Sequence, residues 1–158
     1  MAEAGGEPGE EERERVNREL IEFLDELKIA LPAVQVLFAF FFVLPFYSRF
    51  ATITRLQKDI YFAAFLSAAA ALGLFVAPSA HHRLNFRKRD KLQLLLTSNR
   101  MAIAAAGFLA LSLTGAIFLV ADVIYAGPVV GIVGGIAAAW FVWFWFGLPI
   151  LRRRQSDR

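Results

Sequence analysis

His81 and His82 are the only imidazoles in a chain of 158 residues that has no cysteine. Imidazole is the commonest metal ligand and titrates near neutrality. Adjacent residues on a helix point about 100° apart, so the two rings cannot easily close on one ion. A zinc-type site needs three or four ligands, and no further His or Cys exists to complete one. The neighbouring bases Arg83, Arg87, Lys88, Arg89 and Lys91 also repel cations. His81, His82, Arg83, Arg87, Lys88 and Arg89 are therefore expected to contact anionic lipid head groups, or an acidic segment of the same chain. The absence of cysteine excludes thiolate nucleophiles, disulfides and Cys-held clusters. No catalytic, cofactor-binding or metal-ligating residue is assigned, and no cofactor is expected.

Two other constellations carry polar chemistry within apolar surroundings. Asp122 ends a long apolar run, with no base in its own turn. A carboxylate beside hydrocarbon is costly unless paired or wetted, and a helix C-terminus disfavours it further. Arg49, Arg55 and Lys58 are the bases expected to face it, and a solvated interfacial acid is the plainer alternative. Gln35, Ser67, Ser112 and Thr114 are the second group. They are candidates for a polar path or ion contact, with Gln35 and Asp122 the strongest. Serine and threonine in membrane helices more often bond their own backbone, and small residues more often pack. No Asp, Glu, Lys, Arg or His lies inside any of the four apolar runs, which argues against a pump or secondary transporter.

The elements that position these residues follow from composition. The chain is 58% hydrophobic and 14% aromatic, with 16 Phe, too much apolar surface for a soluble domain of this size. Four apolar runs, at 29–48, 60–80, 101–121 and 129–151, are each long enough to cross about 30 Å of hydrocarbon. The expectation is an all-α, four-helix transmembrane bundle over 29–151. It is preceded by a disordered tail (1–9) and an acidic amphipathic helix (10–28), and followed by a basic tail (152–158). In the N-terminal helix Val16, Leu20, Phe23, Leu24 and Leu27 share one face.

Local signals refine this plan. Pro32 is expected to bend the first run and Pro45 to end it. Thr54-x-x-Gln57 fits a capping box that starts the second helix. Ala63, Ser67 and Ala71 suggest a packing face, and Ala77-Pro78 should stop the helix before the basic turn. Gly127-Pro128 marks the last turn. Gly131, Gly135 and Ala139 form a small-residue ridge expected to pack against another helix within or between subunits. Trp140 to Phe146 holds six aromatics, with Trp143 and Trp145 toward an interface.

Charge sets the expected orientation. Residues 1–28 hold ten acids and four bases, whereas the segment 79–100 holds six bases against Asp90. Arg152, Arg153, Arg154 and Arg158 add to the same side if both termini are cytoplasmic, leaving Arg49, Arg55 and Lys58 outside. Tyr47, Tyr61 and Tyr125 then all fall at outer ends of spans, where an amphipathic ring is favoured. The acidic helix is expected to dock on the basic turn or to bind a protein partner, with a solvated helix leading into the membrane as the plainer alternative. No nucleic-acid-binding motif is present, and none is expected as a partner.

The blocks 26–38 (ELKIALPAVQVLF), 57–62 (QKDIYF) and 77–83 (APSAHHR) resemble a bacterial family of small, uncharacterised four-span membrane proteins. The resemblance covers about residues 15–126. It implies four spans and a bacterial inner membrane, and brings no activity, cofactor or catalytic residue. Three function classes follow. The first is a non-enzymatic scaffold or regulator that acts through packing and cytoplasmic contacts and forms homo-oligomers. The second is an oligomeric pore or small transporter. The third is a lipid-acting enzyme using His81, His82 or Asp90, for which no recognised spacing exists.

Overall fold

A computed structural model describes residues 8–84, 91–125 and 127–147. Every regular element in them is helical. The chain runs α1 (Pro8–Val43), α2 (Arg55–Leu84), α3 (Lys91–Ile124) and α4 (Pro128–Val142), with two 3₁₀ turns, Leu44–Phe46 and Ser48–Thr52, between α1 and α2. Four stretches are long and apolar enough to cross a membrane: Lys28–Phe46, Arg55–Pro78, Thr97–Ile124 and Pro128–Trp145. The protein is an all-helical, multi-pass bundle. Its α1–α2 and α3–α4 connections share one end, called here the turn end. The C-terminal end of α2, the start of α3 and the N-terminal half of α1 share the other, the basic end.

Helix starts and stops follow backbone chemistry. Proline is tolerated in the first turn because its missing N–H would be unpaired there, and Pro8 and Pro128 open α1 and α4. Gly127 precedes Pro128 with φ of +76°, a conformation that side-chain-bearing residues rarely adopt. As expected, α1 ends at Val43, two residues before Pro45. The expected stop at Ala77-Pro78 does not occur, because α2 runs through Pro78 to Leu84. An internal proline removes one N–H and leaves the remaining ladder in place, and membrane helices tolerate this. The basic stretch is thus helical through Leu84 on its α2 side. α1 likewise continues unbroken through Pro32, joining the charged N-terminal segment to the first span as one helix of 36 residues.

The core is a seam with coiled-coil spacing. In α2 the buried positions Tyr61, Ala64, Ala68, Ala71, Phe75 and Pro78 are spaced alternately three and four apart, with Ser67 buried beside Ala68. That 3.5-residue average keeps one stripe facing the neighbouring helices. Ser98, Ala105 and Ser112 of α3 are buried at seven-residue intervals, with Ala102 and Leu109 packed between them and Ala116 one turn beyond Ser112. Val34 and Phe41 of α1 complete two clusters: Val34 with Ala71, Phe75 and Ala105, and Phe41 with Tyr61, Ala64 and Ala68. α2 and α3 pair most extensively, α1 lies against both, and α4 packs on α3. Of the expected Ala63, Ser67 and Ala71, the last two are buried. Ala63 is exposed, and Ala64 takes its place in the seam.

Small residues set how close α2 and α3 come. A Cβ placed on Gly115 would lie 2.8 Å from the Cβ of Ala64, closer than two carbons approach. In α4 the contact glycine is Gly134, where a Cβ would lie 3.0 Å from Phe118 Cδ2. Gly131, Gly135 and Ala139 are exposed, and a Cβ on either glycine would meet nothing within 4 Å. Among the described residues of one protomer, that ridge packs on no helix. Beyond Val142 the helix widens into a π-turn, Trp143–Gly147, in the aromatic-rich stretch. Trp140, Trp143 and Trp145 are exposed, and Trp140 lies against Phe144 with ring centroids 4.3 Å apart.

Candidate functional site

The polar side chains that the fold brings together lie at the turn end. Thr54 precedes the first turn of α2, and its backbone N–H donates to Gln57 Oε1 at 2.8 Å. The backbone N–H of Gln57 donates in return to Thr54 Oγ1 at 3.2 Å. This is the reciprocal capping box expected from Thr54-x-x-Gln57, and it satisfies two open donors at a helix start. The Gln57 amide has a second use. Its Nε2 donates to Asp122 Oδ2 at 2.6 Å, joining the start of α2 to the end of α3.

Asp122 is half-buried, and its partner is this amide. Among the described residues none of the expected bases, Arg49, Arg55 or Lys58, lies within ion-pair distance of it, and all three are exposed. The antiparallel pairing of α2 and α3 explains the placement. The C-terminal turn of α3 disfavours a carboxylate, but the N-terminal turn of α2 alongside it presents the positive end of a helix dipole. The sequence carried a signal for Gln57 in the capping box, but none for its second bond.

Tyr61 departs from the interfacial role expected of it. It is buried, and its hydroxyl donates to the backbone carbonyl of Phe41 at 2.5 Å. The usual donor to that carbonyl is the N–H of residue 45, and residue 45 is proline. The phenol replaces the bond that Pro45 removes. Its ring is held by Phe50 at 4.8 Å edge to face and by Phe41 at 5.9 Å. Phe38 stacks on Phe65 at 5.2 Å one turn deeper. The 3₁₀ connection is thereby folded back over the α1–α2 pair. Tyr47 and Tyr125 are exposed at the same end, as expected of interfacial rings.

The inner polar residues divide. Ser67 donates to the carbonyl of Ala63 at 2.7 Å and Thr114 to that of Ala110 at 2.8 Å. Both bond their own helix, the ordinary behaviour of such residues. Ser112 is fully buried, and its hydroxyl has no partner among the described residues. The register that pairs Gln57 with Asp122 and Ala64 with Gly115 carries Ser67 to the level of Ser112. Gln35 is exposed on α1 and makes no hydrogen bond among the described residues. Ser112 and Gln35 therefore do not line one path. Among the described residues no three of His, Cys, Asp and Glu lie together as ligands for a metal ion.

At the basic end the side chains of His81, His82 and Arg83, and the whole of Arg87, Lys88 and Arg89, lie outside the described residues. The same holds for the side chains of Val16, Leu20, Phe23 and Leu24 on the α1 extension. What is described of that extension is exposed, and apart from Ile21 it is polar. Arg15, Arg18, Glu22, Asp25 and Lys28 are exposed, and Lys28 pairs with Asp25 at 2.6 Å.

The chain belongs to DUF6328, a family of unknown function, whose model matches residues 9–149. No curated protein and no solved structure matches it.

Proposed function

We propose that this family member is a non-enzymatic protein of the bacterial inner membrane, with both termini cytoplasmic, that scaffolds or regulates a partner and self-associates in the bilayer. The observation that supports this reading is the unbroken helix α1. It runs from Pro8 to Val43 and leaves 20 residues, Pro8 to Leu27, beyond the apolar stretch. That extension is about 30 Å long. Its sequence carries eight acids, Glu10, Glu11, Glu12, Glu14, Glu19, Glu22, Asp25 and Glu26.

Acidic helices are poor ligands for anionic head groups, so a protein surface or the chain's own basic segment is the natural partner. His81, His82, Arg83, Arg87, Lys88 and Arg89 are assigned to that contact or to anionic lipid. Each exposed pair would contribute little, ~0–1 kcal/mol, so charge selects the place and apolar burial holds it. Cross-linking from Glu22 to the 83–91 segment at low salt, with deletion of residues 1–20 as its control, tests this docking. No cross-link, together with unchanged stability on deletion, removes the docked form.

Orientation is tested with reporters after Arg158 and at Thr52. The first is expected inside and the second outside. The pore reading draws on the unpartnered Ser112 hydroxyl and on Asp122. Reconstituted vesicles are expected to show no added potassium or proton permeability. A flux that Asp122→Asn alters would favour the pore instead.

A further inference from the structure

Gln35 is an amide with no hydrogen-bond partner among the described residues. It lies inside the apolar stretch Lys28–Phe46, seven residues beyond Lys28. That is about 10 Å into the hydrocarbon, past the reach of a glutamine side chain to the head groups. It is exposed, and within the protomer it makes no hydrogen bond among the described residues. A polar group facing lipid tails is costly unless another helix supplies donors and acceptors.

We propose that Gln35 is the hydrogen-bonded centre of an α1–α1 contact between two copies of this chain, a proposal that rests on the self-association reading above. Copies inserted with one orientation place Gln35 at one depth, whereas an unrelated helix need not carry a polar group there. An amide both donates and accepts. Two of them across a two-fold axis along the membrane normal satisfy each other, as an isologous interface requires. The surface around Gln35 permits this approach. Ala39, one turn onward, is exposed and small, and Pro32, about one turn back, is exposed. The ridge on α4 offers close packing but no group that requires a partner.

The chain has no cysteine, so single-cysteine variants of the full chain report contacts cleanly. Ala39→Cys in membranes is expected to yield a disulfide-linked dimer on mild oxidation. Leu66→Cys is exposed on α2 at a similar depth, given the stacking of Phe38 on Phe65, and is expected to yield none. Adding Gln35→Leu to Ala39→Cys is expected to weaken association about three- to thirtyfold, and Gln35→Asn should retain part of it. Three outcomes overturn the proposal. An oligomer by mass with no cross-link at position 39 removes this interface and leaves self-association standing. A monomer at every lipid-to-protein ratio removes both. Undiminished cross-linking with Gln35→Leu shows that the amide is not the contact. Gln35 faces away from the core, so an unchanged melting temperature of the variant protomer separates lost association from lost folding.

Discussion

The α2–α3 seam and the outer face of α4 are made of the same material and put to opposite uses. Both carry small residues at three- and four-residue spacing. In the seam, Gly115 meets Ala64 so closely that a methyl group does not fit. On α4, Gly131 and Gly135 have open space where a methyl group would go, while Gly134 between them touches Phe118. The difference lies in what accompanies the glycine. The seam is tied at one end by the Gln57–Asp122 bond, and the neighbouring α1–α2 pair by Tyr61. No side-chain hydrogen bond reaches the outer face of α4 among the described residues. Small residues let helices approach, and polar or aromatic groups decide which of them do.

Substitutions that fill or untie each region sharpen this contrast. Gly115→Leu has the largest expected effect. The helices must separate or the side chain must find another place, which costs about 3 kcal/mol or more. Gly115→Ala should cost ~1–3 kcal/mol. Reversible unfolding in mixed micelles measures both, and a stable Gly115→Leu protein would show that the seam is looser than its distances indicate.

Tyr61→Phe comes next. It leaves the Phe41 carbonyl without a donor, at about 1–2 kcal/mol. In a Pro45→Ala background the backbone N–H returns, and the same change should become nearly neutral. Equal costs in both backgrounds would mean that the phenol acts only through its ring packing.

The Gln57–Asp122 tie should show a coupling of roughly 1 kcal/mol in a double-mutant cycle with Gln57→Leu and Asp122→Leu. The cycle separates this tie from the capping bonds that Gln57 also makes. Gly131→Leu belongs at the bottom of the scale. Within one protomer it should shift stability by no more than about 0.5 kcal/mol. A large loss of protomer stability would place the ridge in a contact within the chain and erase the contrast. A change confined to oligomer size would mean that α4 adds to an interface between copies.

The spans and the capping box at Thr54 were legible because they rest on single strong signals: uninterrupted apolar length, and one residue pair at a fixed spacing. The packing faces were legible only in part. From Ser67 to Ala71 every residue is small, so a four-residue period and a 3.5-residue period fit equally well. The structure buries Ser67 and Ala71 together with Ala64 and Ala68, and leaves Ala63 exposed. The same ambiguity hid Gly134 between Gly131 and Gly135. Asp122 was recognised as needing a partner, but charge alone pointed to the wrong ones. The amide that bonds it belongs to a residue already occupied in capping. Tyr61 was read as interfacial because its position along the span fits that role. The contrary signal was Pro45, four residues after Phe41. Pro78 misled because a proline near the end of an apolar run marks a stop in water more reliably than in a bilayer.

The bond from Tyr61 to the Phe41 carbonyl also bears on the order in which the chain is built. The first span leaves the ribosome before the second. Alone in the membrane it carries an open carbonyl near its far end, at the place where Pro45 has removed the donor. That group is satisfied only when the second span arrives with its phenol. The smallest complete inserting unit is therefore the α1–α2 hairpin, not the first helix. A nascent chain stopped while Tyr61 is still inside the ribosome should be retained by the insertion machinery, and one long enough to bring the whole second span into the membrane should partition into lipid.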